Sequence, residues 1–170
     1  MSLTGATYFA RARLGNVQES YLVDIYDSDG NVAIRLGQQD VKWTDGHYYG
    51  AIVVPPEIRS EIDLVKCTSA IASVSIEVLN IPLGGSLVSG AQRLLGDILL
   101  NGTGGGNNFL SWQVVIYSWL GPEVNADLRL EIFRGRLMDV IPKRDGILAL
   151  ELEEKRPWDL LNIPNVKSTS

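Results

Sequence analysis

The sequence predicts a mainly β protein, a β-rich α+β chain built as two small antiparallel barrel-like or sandwich-like blocks with one short helix between them. Three observations carry this. Period-two alternation of apolar and polar residues recurs within 19–82 and again within 109–164. Turn-forming residues punctuate both stretches at short intervals. Between them, Val88 to Leu100 places apolar residues at Leu94, Leu95, Ile98 and Leu99, a helical spacing. Alternation is the mark of a half-buried strand. Short strands with regular turns are the pattern of a barrel or sandwich.

Residues 1–18 are small, polar and weakly patterned, and read as an N-terminal arm. The first β-block, 19–82, opens with a strand at Tyr21–Tyr26, a turn at Asp27-Ser28-Asp29-Gly30 and a return at Asn31–Leu36. Val32, Ile34 and Leu36 share one face of that return; Ala33 and Arg35 share the other. A hairpin follows, with Trp43 on one arm, Thr44-Asp45-Gly46 at the turn, and Tyr48 and Tyr49 on the second arm. Asp-Gly between strand formers favours such a turn because glycine accepts a positive φ. After Pro55-Pro56, Glu61–Leu64 reads as an acidic link. Ala70–Val78 then alternates, with Ala70, Ala72, Val74, Ile76 and Val78 on one side, and Ile81-Pro82 ends the run. Proline has no N–H to give to a ladder.

Residues 83–108 hold the helix, Val88–Leu100, and a glycine-rich loop, Asn101–Asn108. In the second β-block, 109–164, Trp112, Val114 and Ile116 alternate with Gln113, Val115 and Tyr117. Leu128, Leu130 and Ile132 alternate with Arg129, Glu131 and Phe133. Gly135 interrupts this run and marks a bulge or a close backbone approach. A turn at Lys143–Gly146 leads into Ile147–Glu154, with Leu148, Leu150 and Leu152 on one face. The predicted core comprises those three leucines with Leu130, Ile132, Val74 and Ile76. Pro157–Leu161 reads as a short terminal element, and residues 165–170 as a fraying tail.

At 170 residues, 45% hydrophobic and 21% charged, the chain has the composition of a globular domain able to bury a core without metals or disulfides. Its net charge of −5 argues against a generic nucleic-acid binder. The same charge is compatible with a channel wall past which nucleic acid slides. Cys67 is the only cysteine, so no intrachain disulfide forms. The N-terminus shows no secretory h-region, and no apolar run reaches the ~18 residues of a membrane span.

No motif of catalysis emerges, and no catalytic, cofactor-binding or metal site is predicted. His47 is the only histidine and follows a turn, so it reads as a surface residue; no GxSxG motif accompanies it. Cys67 reads as a small buried hydrophobe. Asp24, Asp27 and Asp29 miss the calcium-loop pattern, which needs glycine where Val32 stands, and the hairpin turn explains them. Gly85 and Gly90 have P-loop spacing, but Ala91-Gln92 replaces the required Lys and Ser/Thr. Gly102 and Gly104 lack the last glycine of a dinucleotide fingerprint. The sequon at Asn101-Gly102-Thr103 reads as chance. Glu151 and Glu153 share a strand face, about 7 Å apart by strand geometry, a spacing at which two carboxylates can hydrolyse a glycoside. With Glu131 and Glu154, they read better as a solvated face. An aromatic, part-polar strand face formed by Tyr117, Trp119 and Phe133 is the candidate subunit interface.

Two passages, LGQQDVKWTDGHYYGAIVVPPEIRSEIDLVKCTSAIASVSIEVLN and LEIFRGRLMDVIPKRDGILALELEEKRPWDLLNIP, carry a family resemblance. Together they resemble the hub-type tail proteins, including distal-tail-like ones, of long-tailed bacteriophages and gene transfer agents. The matching positions are Asp40, Trp43, Tyr49, Gly50, Ile62, Asp63, Leu64 and Asn80, then Phe133, Gly135, Asp139, Gly146 and Pro164. The resemblance implies a structural, non-enzymatic component of the tail tip or baseplate hub, part of a ring around the channel at the distal end of the tail tube. It implies self-association, as a trimer or in distal-tail-like members a hexamer. Tail-tip, tail-tube and tape measure proteins would be its neighbours. DNA would pass without specific binding, with no membrane insertion by this chain and no cofactor. The location implied is the virion tail tip, assembled in the host cytoplasm. Hubs of this family usually continue past the last proline motif, whereas this sequence stops at Ser170. The rival reading is a β-rich domain that binds or hydrolyses cell-surface glycans.

Overall fold

Alternating apolar residues demand a surface to bury against, and here one large, mainly antiparallel sheet provides it. The computed structural model describes residues 3–15, 17–27, 29–43, 46–59, 62–63, 68–69, 73–83, 92–101, 109–110, 112–125 and 128–154. Helix α1 spans Leu3–Ala12. The strands of the first half are β1 (Gln18–Tyr26), β2 (Val32–Gly37), β3 (Val41–Trp43), β4 (Gly46–Gly50), β5 (Ile52–Arg59), β6 (Ile62–Asp63), β7 (Thr68–Ser69), β8 (Ser73–Leu79) and β9 (Pro82–Leu83). Then come β10 (Arg93–Leu94), α2 (Leu95–Asn101), β11 (Gln113–Gly121), β12 (Arg129–Pro142) and β13 (Ile147–Glu154). The protein is a β-rich fold.

Nine strands form one sheet in the order β3-β4-β2-β1-β11-β12-β13-β8-β5. The order has two ends, so this sheet is not closed into a barrel. The two sequence blocks are not separate in space. β1 pairs antiparallel with β11, Val23 opposite Ile116, and β8 pairs with β13, Ile76 opposite Leu150. Both segments therefore feed one sheet, because the strongest apolar strands find their partners across the blocks rather than within them.

One face holds the main core. Val23, Ile25, Ile34, Leu36, Val74, Ile76, Val78, Val114, Ile116, Leu148, Leu150 and Leu152 pool with Leu95, Ile98 and Leu99 of α2. Helix α2 is shorter than the predicted Val88–Leu100. It starts at Leu95, residues 93–94 are strand, and 84–91 lie outside the described residues. Seven residues rarely hold a helix alone. Three fully buried apolar side chains, at about 1.5–3 kcal/mol each, outweigh the ~1 kcal/mol penalty of Gly96. Asn80 starts the helix: its Oδ1 accepts from the Gly96 N–H at 2.8 Å. A Cβ at Gly96 would meet Leu148 Cδ1 at 3.3 Å, so glycine also permits close seating on the sheet.

A second core gathers Tyr8, Leu22, Trp43, Tyr48, Trp119, Leu120 and Leu128. Leu22 neighbours Val23, so its side chain lies on the opposite face of β1. The N-terminal stretch read as an arm is helix α1, held by Tyr8, whose hydroxyl bonds Ser118 Oγ at 2.5 Å. Burial raises the Tyr8 pKa above its ordinary value. Because both faces of the sheet are covered at its middle, β11 is buried at Val114, Val115, Ile116, Ser118, Trp119 and Leu120, and the predicted one-sided alternation does not hold there.

Two bulges in β12 decide which side chains face the main core. Ile116 pairs with Phe133 but Tyr117 with Glu131, leaving Ile132 as the extra residue. Leu137 pairs with Leu152 but Asp139 with Glu151, leaving Met138 extra. A single-residue insertion switches the side-chain parity. Phe133, Leu137 and Val140 are consequently buried, whereas the predicted core residues Leu130 and Ile132 are only half-buried. Leu148, Leu150, Leu152, Val74 and Ile76 are buried as predicted.

Candidate functional site

The three aromatic residues expected on an open face are mostly inside. Trp119 is 1% exposed and Phe133 is 6% exposed, and Tyr117 is half-buried. The expectation of an open aromatic strand face is corrected by two causes. The Ile132 bulge turns Phe133 into the main core, and α1 with the β3–β4 hairpin closes over Trp119. The Trp119 ring packs edge-on against Trp43 at 5.6 Å, and its Nε1 donates to the Glu123 carbonyl at 3.0 Å.

Around this tryptophan pair lies a polar cluster that the sequence did not announce. Arg129, the first residue of β12, donates through Nη1 to the Tyr48 hydroxyl at 2.8 Å. Its guanidinium sits 4.3 Å from the Tyr117 ring centroid and 5.4 Å from that of Trp43. Arg35 approaches Asp24, Nε to Oδ1 3.8 Å, and lies 5.9 Å from the Tyr48 ring centroid. Burial, and then the Asp24 carboxylate, push the Tyr48 hydroxyl well above its usual pKa. Burial, then a hydrogen bond with Tyr26, does the same for Tyr117. Both phenols stay neutral over the physiological range. Their hydroxyls are thus hydrogen-bonding groups and not bases or nucleophiles, and the cluster acts as a clamp between β4, β11 and β12. The only local trace of it is Arg129 standing between Leu128 and Leu130 at the start of a strand.

Glu151 lines a shallow groove of about 320 Å³ with Val54, Pro55, Glu57, Ser73, Ser75 and Glu77. The Ser75 hydroxyl donates to Glu151 Oε1 at 2.8 Å, and Lys143 pairs with Glu77. None of these lining residues is aromatic, so no stacking platform for a sugar ring is among them. Glu131, on another strand, is held by Arg134 through two hydrogen bonds of 2.8 and 2.6 Å. Glu131 and Glu151 therefore do not share one groove.

His47 stacks on Tyr49, ring centroids 4.6 Å apart, and its Nε2 meets Asp40 Oδ1 at 3.0 Å. That contact, and then the Gly50 N–H, hold the Asp40 carboxyl below its ordinary pKa. Asp27 accepts from the backbone N–H groups of Asp29 and Asn31 at 2.9 and 2.8 Å, tying off the turn at Gly30, whose φ is +82°. No group of three His, Cys, Asp or Glu is placed to hold a metal among the described residues. Among those residues, no helix is long and apolar enough to cross a membrane. Cys67, Gly85, Gly90, Gly102, Gly104 and the terminal stretch from residue 155 lie outside the described residues.

No protein-family profile matches the chain, and no curated protein is similar to it in sequence. Its fold is similar to that of a chain in the solved virion of a native gene transfer agent particle, with a TM-score of 0.52 and 15% identity. The match covers 86% of this chain and 43% of that one, so the chain spans less than half the length of the protein it resembles. At this identity the likeness is one of fold.

Proposed function

We propose that the chain is a non-enzymatic structural component of a phage-like virion, placed at the tail tip or baseplate hub. There it forms part of a ring around the channel at the distal end of the tail tube. The observation that carries this reading is the fold likeness to a virion chain over 86% of the sequence. The local chemistry agrees with it. Asp27, Asn80, Ser118, Glu131 and Arg129 are each engaged in holding a turn, a helix end or a strand junction. A net charge of −5 suits a wall that DNA passes without adhering, since strong phosphate contacts would arrest it. Its neighbours are further copies of itself, as a trimer or hexamer, with other tail-tip, tail-tube and tape measure proteins. Assembly takes place in the host cytoplasm.

The test is genetic and visual. The gene is deleted from the genome that produces the particle, and the particles are imaged by electron microscopy. The expected result is tails that lack their tip or fail to assemble, with density for this chain at the distal end in particles from the intact genome. Particles of normal form that contain no copies of the chain would refute the reading.

A further inference from the structure

We infer that helix α1 is an exchangeable arm, which on assembly leaves its own sheet and takes the same seat on a second copy of the chain. The occupant of each seat is then α1 of a neighbouring copy, and this role in joining copies rests on the assembly reading above. No new complementarity is required, because every contact the helix makes within one chain is remade between two. A lightly held seat and the geometry of the hinge carry the inference.

Side chains hold α1 in place. Among the described residues, Tyr8 is the α1 residue in the second core. Its hydroxyl bonds Ser118 Oγ at 2.5 Å, and the Ser118 hydroxyl in turn donates to the Glu19 carboxylate. Arg11 Nη2 donates to Glu123 Oε1 at 3.3 Å, an ion pair in contact with water and therefore weak. A cleft of about 390 Å³ stays open between the helix, at Ala10 and Leu14, and the turn carrying Glu123 and Leu128. An element anchored in this way opens far more readily than the whole protein unfolds.

The hinge is short and turns on a glycine. Five residues join Ala12, the end of α1, to Gln18, the start of β1. Gly15 stands among them with φ +73°, and this turn folds the helix back onto its own sheet. Nothing lies within 4 Å of a Cβ added there, so backbone conformation and not crowding favours glycine. An extended hinge has no need of the left-handed turn. Any other residue at this position therefore disfavours the closed form and leaves the open one untouched.

Hinge and seat occupy one corner of the sheet. β1 begins at Gln18 opposite Gly121, the last residue of β11, and Glu123 and Leu128 of the seat follow directly. Extended, the hinge reaches about 20 Å, so a copy set against this corner brings its own seat within range. Leu14, beside Gly15, is 61% exposed, and two hinges passing each other cover it. Short hinges of this kind invite exchange. Two copies that trade helices close a dimer, and a helix handed from each copy to the next closes a ring when the rotation permits.

The experiment uses the full chain. Gly15→Ala is compared with Gly146→Ala, which places the same change at another left-handed glycine, φ +71°, also with open space around it but away from the hinge. Circular dichroism establishes that both are folded, and sedimentation gives their mass. Gly15→Ala is expected to lower the concentration at which chains associate by about tenfold for each hinge opened, and Gly146→Ala to leave it as in the parent. A third variant, with four Gly/Ser residues inserted after Gly15, lets the helix return to its own seat with ease and is expected to be a monomer. Exchange itself is read by cross-linking. Arg11→Cys and Glu123→Cys are made in separate chains, both with Gly15→Ala and Cys67→Ser, mixed in urea, refolded together and treated with a short bismaleimide. A link between the two different chains is expected, because the helix of one then lies on the seat of the other. Gly15→Ala that associates no more than Gly146→Ala, a lengthened hinge that associates like the parent, or a refolded mixture with no link between chains overturns the inference. If the chain is absent from virions while the link still forms, the tail reading fails and the exchange stands. If the chain is present in virions but no link forms, the exchange alone fails.

Discussion

Gly135→Ala tests how closely β12 and β13 approach. A Cβ at this position would lie 2.3 Å from the Glu153 carbonyl oxygen and 2.6 and 2.7 Å from two atoms of the Phe133 ring. The carbonyl is backbone of the paired strand, and the ring is itself buried, so neither yields by a simple side-chain rotation. Overpacking of this kind costs about 1–3 kcal/mol, and a backbone neighbour places the change at the upper end. For a chain of 170 residues each kcal/mol shifts Tm by about 2–4 °C, which gives a fall of about 6–12 °C. Gly146→Ala is the control. Gly146 has φ +71° and nothing within 4 Å of an added Cβ. Its loss is limited to left-handed backbone strain of about 1–2 kcal/mol, partly offset by a stiffer unfolded chain. Both variants are compared with the parent by urea unfolding and thermal melting. A Gly135→Ala variant no less stable than Gly146→Ala would refute the close approach.

Leu150→Ala, at a position 1% exposed, is expected to lose about 2–5 kcal/mol in urea unfolding. Leu150→Asp is expected to give no soluble protein, since a buried unpaired carboxylate is far costlier; normal yield and melting would contradict the core assignment. Arg129→Met removes a charged hydrogen bond to Tyr48 and the cation beside Trp43 and Tyr117, with an expected loss of about 3 kcal/mol and a changed tryptophan emission spectrum. Asp40 has a folded pKa below its unfolded value, so its contribution is present above the ordinary carboxylate pKa of about 3.9 and is lost as pH falls through the lower folded value. Asp40→Asn is therefore expected to be less stable than the parent near neutral pH, with the gap closing below about pH 4 in melting experiments.

What the sequence revealed depends on how local the determining contact is. The turn at Asp27–Gly30 and the alternation of Ser73–Leu79 rest on neighbouring residues, and both are as read. Gly135 was legible as a bulge or a close backbone approach, and the crowding around its Cα, with the Glu153 carbonyl oxygen 2.3 Å from an added Cβ, is the second of these. The β12 bulges needed the partner strand to be seen. Their trace in the sequence is the handover at Ile132-Phe133, where even-numbered apolar positions give way to odd-numbered ones. Missing it sent Phe133 outward and Ile132 inward. Helix α1 lacks a long apolar stripe, and its position comes from Tyr8 reaching Ser118, 110 residues away. Ala6, Ala10 and Ala12, with Arg11 in the last turn, were its local signal. The clamp at Arg129 is likewise built from β4, β11 and β12, which no single stretch displays.

The two ends of the large sheet are both poorly suited to strand addition. β5 is one end, and Pro55-Pro56 lie in its middle. Each removes an N–H donor, and the pairing of β5 with β8 shifts register on either side of Val54. A proline-bearing, bulged edge resists the addition of a further strand. The other end, β3, is only three residues long and offers little ladder to extend. Neither edge is suited to join copies by continuing the sheet. Exposed apolar side chains are found elsewhere, among them Phe9 on α1 and Leu79 and Ile141 on strands of the sheet. Strand addition is indifferent to most side chains, whereas face contacts are not. A chain organised in this way limits uncontrolled edge-to-edge association.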